Sequence, residues 1–335
     1  MPVPILFIGV GVATAAYGAG KSIKAGSIQK EANKTNETAN DIIKSAKEKI
    51  NTCRKNCGSA IDNLGKRKIQ ILDGSVKPFI TEFEKLNHVE LSESKGLNEL
   101  QKMVLDQKNF TELKELQSMA SSMAEGLVSG AMAGAVTAFG AYSAAGALAT
   151  ASTGTAIASL SGAAATNATL AFFGGGSLAA GGLGMAGGTA VLGGLVAGPA
   201  LVVLGFVAEA KASANLDKAY ANLAKARKFK AEMDLASSAC IGIRKRAAMF
   251  NRFLVTLNSV FEPLIYEMTQ IISNKGTDFR NFSDDEKKVV AEAMAMAGAI
   301  KSILDTPILD DEGNLTSESD KMVEMTRKKL EEVVA

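Results

Sequence analysis

One stretch limits this chain more than any other. Between Glu125 and Glu209, residues 126–208, 83 in all, carry no Asp, Glu, Lys or Arg. Helices of ordinary soluble domains keep a polar face toward water, so a run this long must meet lipid or pack dry inside protein. A bilayer span takes about 20 apolar residues, which makes the run long enough for roughly two to four crossings. Its most apolar piece is "TAVLGGLVAGPALVVLGFVA" at 189–208, and its expected partner is "LVSGAMAGAVTAFGAYSAAGALA" at 127–149. Between them lie the semi-polar "AIASLSGAAATNATLAFF" and the breaker "GGGS" at 174–177. The expected form is a hairpin. The alternative is a closely packed soluble core or plain low complexity.

The small residues inside the run are spaced for helix contact. Gly126, Gly130 and Gly134 recur every fourth residue, as do Gly184 with Gly188 and Gly194 with Gly198. On a helix that spacing leaves one face without Cβ atoms, against which a second helix approaches closely. Pro199 would kink the last span, which neighbouring helices can accommodate. Leu, Ile, Phe and Val favour insertion by about 0.3–0.6 kcal/mol each at a helix centre. A run built on Gly and Ala gains less, so insertion is expected to be marginal and conditional.

Composition narrows the remaining classes. The chain has 335 residues, with 32 Gly, 6 Pro, no Trp and 5% aromatics. A net charge of +2 argues against a general nucleic-acid binder. Three Cys cannot close a disulfide framework, and an odd count suits a reducing compartment. The N-terminal "MPVPILF" lacks the basic region of a secretory signal.

Both flanks of the run have helical periodicity. Ile28, Ala32, Ala39, Ile42, Ala46, Ile50, Cys53, Cys57, Ala60 and Leu64 fall in steps of three, four or seven. "LDGSVKP" is expected to interrupt, with Gly74 and Pro78 as breakers. A further helix is expected over about 97–125. After the run, a near-heptad stripe extends from Ala219 to Ile271, which indicates sustained helix-on-helix packing. Ser283 with Glu286 forms a capping box that opens a helix to about Leu304, and a last helix is expected over 319–334. The fold class is all-α: an elongated antiparallel bundle of long amphipathic helices with a Gly/Ala-rich apolar hairpin insert. The expected divisions are 1–26 (an apolar membrane-facing segment), 27–125 (a helical arm), 126–208 (the hairpin), 209–273 (the heptad arm) and 274–335 (a C-terminal helical pair).

Chemistry-bearing motifs are few. "AAYGAGKS" ends like a phosphate loop, but Ala15 stands where the first glycine belongs, and no later strands exist to build a sheet. Residues 3–20 are 18 uncharged residues, enough to span a bilayer or lie in its interface. Lys21 and Lys24 close that segment, and Lys225, Arg227, Lys228 and Lys230 cluster on the second arm. These are the candidates for contact with anionic headgroups, at about 1 kcal/mol per charge. Otherwise they form a solvated face. His88 and the three Cys do not make a zinc set and are expected to be a surface histidine and core thiols. No catalytic residue, cofactor or metal is expected.

The segments "FIGVGVATAAYGA", "GALATASTGTAIASLSGAAATNATLAFFGGGSLAAGGLGMAGGTAVLGGLVAGPAL" and "DTPILDDEGNLTSES", in that order, resemble a family of largely uncharacterised bacterial glycine-zipper proteins. The likeness covers most of the chain and supplies no catalytic residue. In architecture alone, an apolar hairpin between helical arms is similar to α-helical pore-forming toxins. The resemblance implies a bacterial protein. The lysines that follow residue 20 point to the cytoplasmic side of a membrane, or to a protein moving from solution to it. The uncharged run and its glycine faces point to the lipid bilayer and further copies of the chain as partners. The functional expectation is a non-enzymatic, membrane-active protein that inserts its hairpin and oligomerises to permeabilise or remodel a bilayer. The alternative is a constitutively anchored coiled-coil scaffold or signalling protein without pore activity.

Overall fold

The computed structural model describes residues 19–89, 106–127, 136, 139–141, 216–310 and 314–334, with side chains in the first helix from residue 28 onward. Every regular element among them is helical. The order is α1 (Ala19–Ile71), a π-helical turn (Leu72–Val76), α2 (Lys77–Phe83), α3 (Gln107–Leu127), α4 (Leu216–Lys275), a 3₁₀ turn (Phe279–Asn281), α5 (Asp284–Asp305) and α6 (Ser317–Val334). The all-α class therefore holds for the described residues. No helix among them is long and apolar enough to cross a membrane. Most of the run 126–208 and nearly all of 3–20 lie outside the described residues.

The chain forms two compact units. The first comprises Met1–Ile50 and Val203–Leu235. Its seam is built on small side chains: Ala32, Ala39 and Ala46 of α1 and Ala219 and Ala226 of α4 are buried, with Ile50, Phe229 and Met233 as the larger members. Polar pairs flank the seam. Tyr220 donates to Glu31 at 2.7 Å, Asn222 to Asn36 at 3.0 Å, and Lys49 to Asp234 at 2.7 Å. Partner numbers rise together along both helices, so α1 and α4 run parallel here.

The second unit comprises Asn51–Val202 and Ala236–Ala335. The same direction holds within it: Arg67 pairs with Asn251, Ser75 with Glu262 and Asn87 with Thr277. Where the sequence reading expects antiparallel arms, α1 and α4 run parallel to each other within each unit. Antiparallel order follows from short connections, and α1 and α4 are separated by residues 72–215, which leaves their direction free. The element that runs antiparallel to α1 and α2 is α3. Lys114 meets Glu84, Ser121 donates to Asp73, and Gly140, beyond α3, packs on Ile61.

Gly74 and Pro78 do not break the helical path. The turn widens instead, with the Lys77 amide donating to the Leu72 carbonyl five residues back, and Pro78 sits in the first turn of α2, where its missing N–H costs little. The third expected helix begins at Gln107 rather than near 97, and residues 90–105 lie outside the described set. Phe79 is the hub of an aromatic core, 5.3 Å from Phe261, 5.6 Å from Phe83 and 6.4 Å from Phe110. Gly276, at φ +82°, ends α4. The Ser283–Glu286 capping box then starts α5 as expected, with both reciprocal bonds formed at 2.7 and 3.3 Å. Thr316 caps α6 by accepting from the Ser319 amide at 3.1 Å.

Candidate functional site

The start of the uncharged run is held against α1 in the second unit. Ile61, Gly65 and Lys68 lie at steps of four and three, on one face of that helix. A Cβ at Gly65 would collide with the Val136 carbonyl oxygen, and one at Gly140 with the Ile61 carbonyl oxygen. Each glycine thus admits the other segment's backbone, and any other residue would push the two apart. Val136, Phe139 and Ala141 are all buried.

The polar groups of this junction are answered one by one. Lys68 is fully buried, and its Nζ donates to the Phe139 carbonyl at 2.9 Å while lying 5.5 Å from the centre of the Phe139 ring. The Ala141 carbonyl accepts from the Ile308 and Leu309 amides at 2.9 and 3.1 Å. Those two residues follow α5 and are themselves buried. The stretch "DTPILDDEGNLTSES", expected to be only a turn-rich link, thus clamps the base of the run. The clamp is tied internally by the Thr316 amide to Ile308 and the Asp310 amide to Asn314, both at 3.0 Å.

A second charged layer backs the lysine. Lys301, 3% exposed, donates to Asp305 at 2.5 Å and to Glu112 at 2.8 Å. The Asp305 Oδ1 is buried without a hydrogen-bond partner among the described residues. Burial pulls the Lys68 ammonium down from the ordinary 10.5 to about 7, with Asp305 opposing. Burial raises the Asp305 carboxyl, against the pull of its bond from Lys301. Lys301 is also desolvated, yet its bonds to Asp305 and Glu112 lift it above the usual lysine value. The arrangement is a clasp on the backbone of the run, built on buried and mutually paired charges.

The residues expected from sequence are placed differently. Gly126 stands in the last turn of α3. Gly130, Gly134, Gly184, Gly188, Gly194, Gly198 and Pro199 lie outside the described residues. Lys21 and Lys24 fall in the first turns of α1. Lys225, Arg227, Lys228 and Lys230 are exposed on α4 in the first unit, where Lys230 pairs with Asp234 at 2.6 Å. His88 is exposed, at φ 57°, with Nδ1 3.6 Å from Asp278. No cluster among the described residues could hold a metal ion. Sequence reasoning missed Gly65, Lys68, Glu112, Lys301 and Asp305. The available signal was a lysine seven residues after Ile61, on the apolar stripe of α1, and another in the apolar "AMAMAGAIKSIL".

Comparison with protein-family models, curated proteins and solved structures finds no match to this chain.

Proposed function

We propose that this is a membrane-active helical protein whose body holds the base of an uncharged, glycine-rich segment and releases the segment to a bilayer. The observation that carries the reading is the clasp at 136–141. There the body binds backbone carbonyls of the run through Lys68, Ile308 and Leu309 and lets glycine meet backbone. Such contacts hold a segment in place without needing large side chains from it. Once in lipid, the Gly126, Gly130 and Gly134 spacing and its repeats would drive helix association and oligomer formation. Permeabilisation or remodelling follows from such a cluster. The run would form a hairpin between the long arms, and the exposed lysines and arginine at 225–230 would meet anionic headgroups.

Flotation with vesicles containing anionic phospholipid tests the reading, together with release of an entrapped dye. Co-flotation with leakage supports it. Binding without leakage would instead support a constitutively anchored scaffold built on the same helices. Protein that stays with the soluble fraction at neutral and acidic pH, with and without anionic lipid, would refute both.

A further inference from the structure

Within the second unit, α1 and α4 bring two cysteines together. Cys57 lies seven residues after buried Ile50, and Cys240 seven before buried Ala247, so both sit on the seams of their helices. The Cys57 thiol donates a hydrogen bond to the Cys240 sulfur, and the two residues are only 1% and 3% exposed. Arg54 stands near Cys240 and Arg244 near Cys57, so cationic side chains from both helices flank the pair. Cys53, one turn before Cys57, is half-buried, and all three are free thiols.

The two sulfurs are not equivalent. The bond from Cys57, then the Arg54 charge, hold the Cys240 thiol below its ordinary value despite burial. The same bond and burial push Cys57 up. Arg54 beside Cys240 favours that sulfur as the thiolate, and Cys57 is the partner already in contact with it.

We propose that Cys57 and Cys240 form a redox pair, which a small peroxide converts to a disulfide tying α1 to α4 and a dithiol reopens. The Cys240 thiolate attacks one oxygen of hydrogen peroxide. The O–O bond breaks, hydroxide leaves, and the sulfur becomes a sulfenic acid. The Cys57 sulfur then attacks the Cys240 sulfur. The S–O bond breaks, and the hydroxyl departs with the Cys57 proton as water. In sum, two thiols lose two electrons and two protons, and the peroxide becomes two waters. Peroxide, close to water in size, suits a pair this deeply buried. Return to the thiols proceeds by exchange with a dithiol through a mixed disulfide.

Trypsin separates the three cysteines, because Lys and Arg end the peptides 50–54, 56–66 and 231–244. The full-length protein is treated with hydrogen peroxide, denatured, alkylated and digested without reductant. The expected product is peptide 56–66 joined to 231–244, two hydrogens lighter than the sum, with Cys53 alkylated. Dithiothreitol should restore alkylation at all three sites. Cys53→Ala should leave the cross-link intact. Cys57→Ala should stop Cys240 at the sulfenic acid, which dimedone captures. Alkylation of Cys57 and Cys240 in the peroxide-treated wild type would overturn the proposal, as would a cross-link through Cys53. The wild-type digest decides this even where a variant folds poorly.

Discussion

At the scale of single residues, the clasp rests on two glycines and a lysine. Gly65→Ala places a methyl where the Val136 carbonyl sits. It should destabilise the second unit by about 1–3 kcal/mol, as overpacked sites do, seen as a lowered denaturant midpoint. Gly74 has the opposite setting, with nothing near its missing Cβ. Gly74→Ala should stabilise by roughly 0.5–1 kcal/mol, because only the unfolded chain loses freedom. Lys68 gives a pH signature. Its folded value, about 7, lies below the unfolded 10.5, so the folded form holds its proton less firmly. Its contribution is complete above pH 10.5, declines as pH falls toward 7, and is flat below. In that window the slope approaches ~1.4 kcal/mol per pH unit. Asp305, Lys301 and Glu112 face the same cluster, and burial raises the Asp305 carboxyl. Lys68→Met should remove the slope in urea titrations run from pH 7 to 10. An unchanged slope would mean that Lys68 is not its source. Neither Gly65 nor Lys68 was readable as a site, since each acquires its meaning from a partner far along the chain: Val136 for Gly65, Phe139 and Asp305 for Lys68.

At the scale of elements, the capping box and most of the buried stripes match the sequence reading, while the breakers Gly74 and Pro78 and the relative course of α1 and α4 do not. The Ser283–Glu286 box is written within four residues, and its helix starts where the spacing places it. Ser283→Ala should lower stability by about 1 kcal/mol, measurable by thermal unfolding. The stripes of α1 and α4 hold in the main: Ala32, Ala39, Ala46, Cys57 and Leu64 are buried on the first, where Ile28 is exposed and Ile42, Cys53 and Ala60 are half-buried, and Ala219, Ala226, Ala247 and Phe261 are buried on the second. A 3.6-residue period reports which face is buried but carries no sign of direction. Parallel and antiparallel partners bury the same stripe, and so the parallel course of α1 and α4 was not legible. The Gly74 and Pro78 signals failed for another reason. Each is a statistical breaker, yet a π turn absorbs the proline in the first turn of the next helix.

For the molecule as a whole, the proposed membrane activity depends on glycine faces in the uncharged run. Gly130→Leu with Gly134→Leu should reduce dye release at least tenfold while leaving the helical content of the body unchanged by circular dichroism; full release would remove the zipper from the mechanism. The clasp has one more consequence, and it concerns the order of synthesis. Ala141 leaves the ribosome long before Ile308 and Leu309, whose amides bind its carbonyl. At about 5–20 residues per second, the interval is on the order of ten seconds or more. From the completion of Ala208 until then, the nascent chain carries its longest uncharged segment without the clamp that secures the segment's base. Holding factors, or a nearby lipid surface, can compete for the segment then in a way they cannot once the clamp has closed.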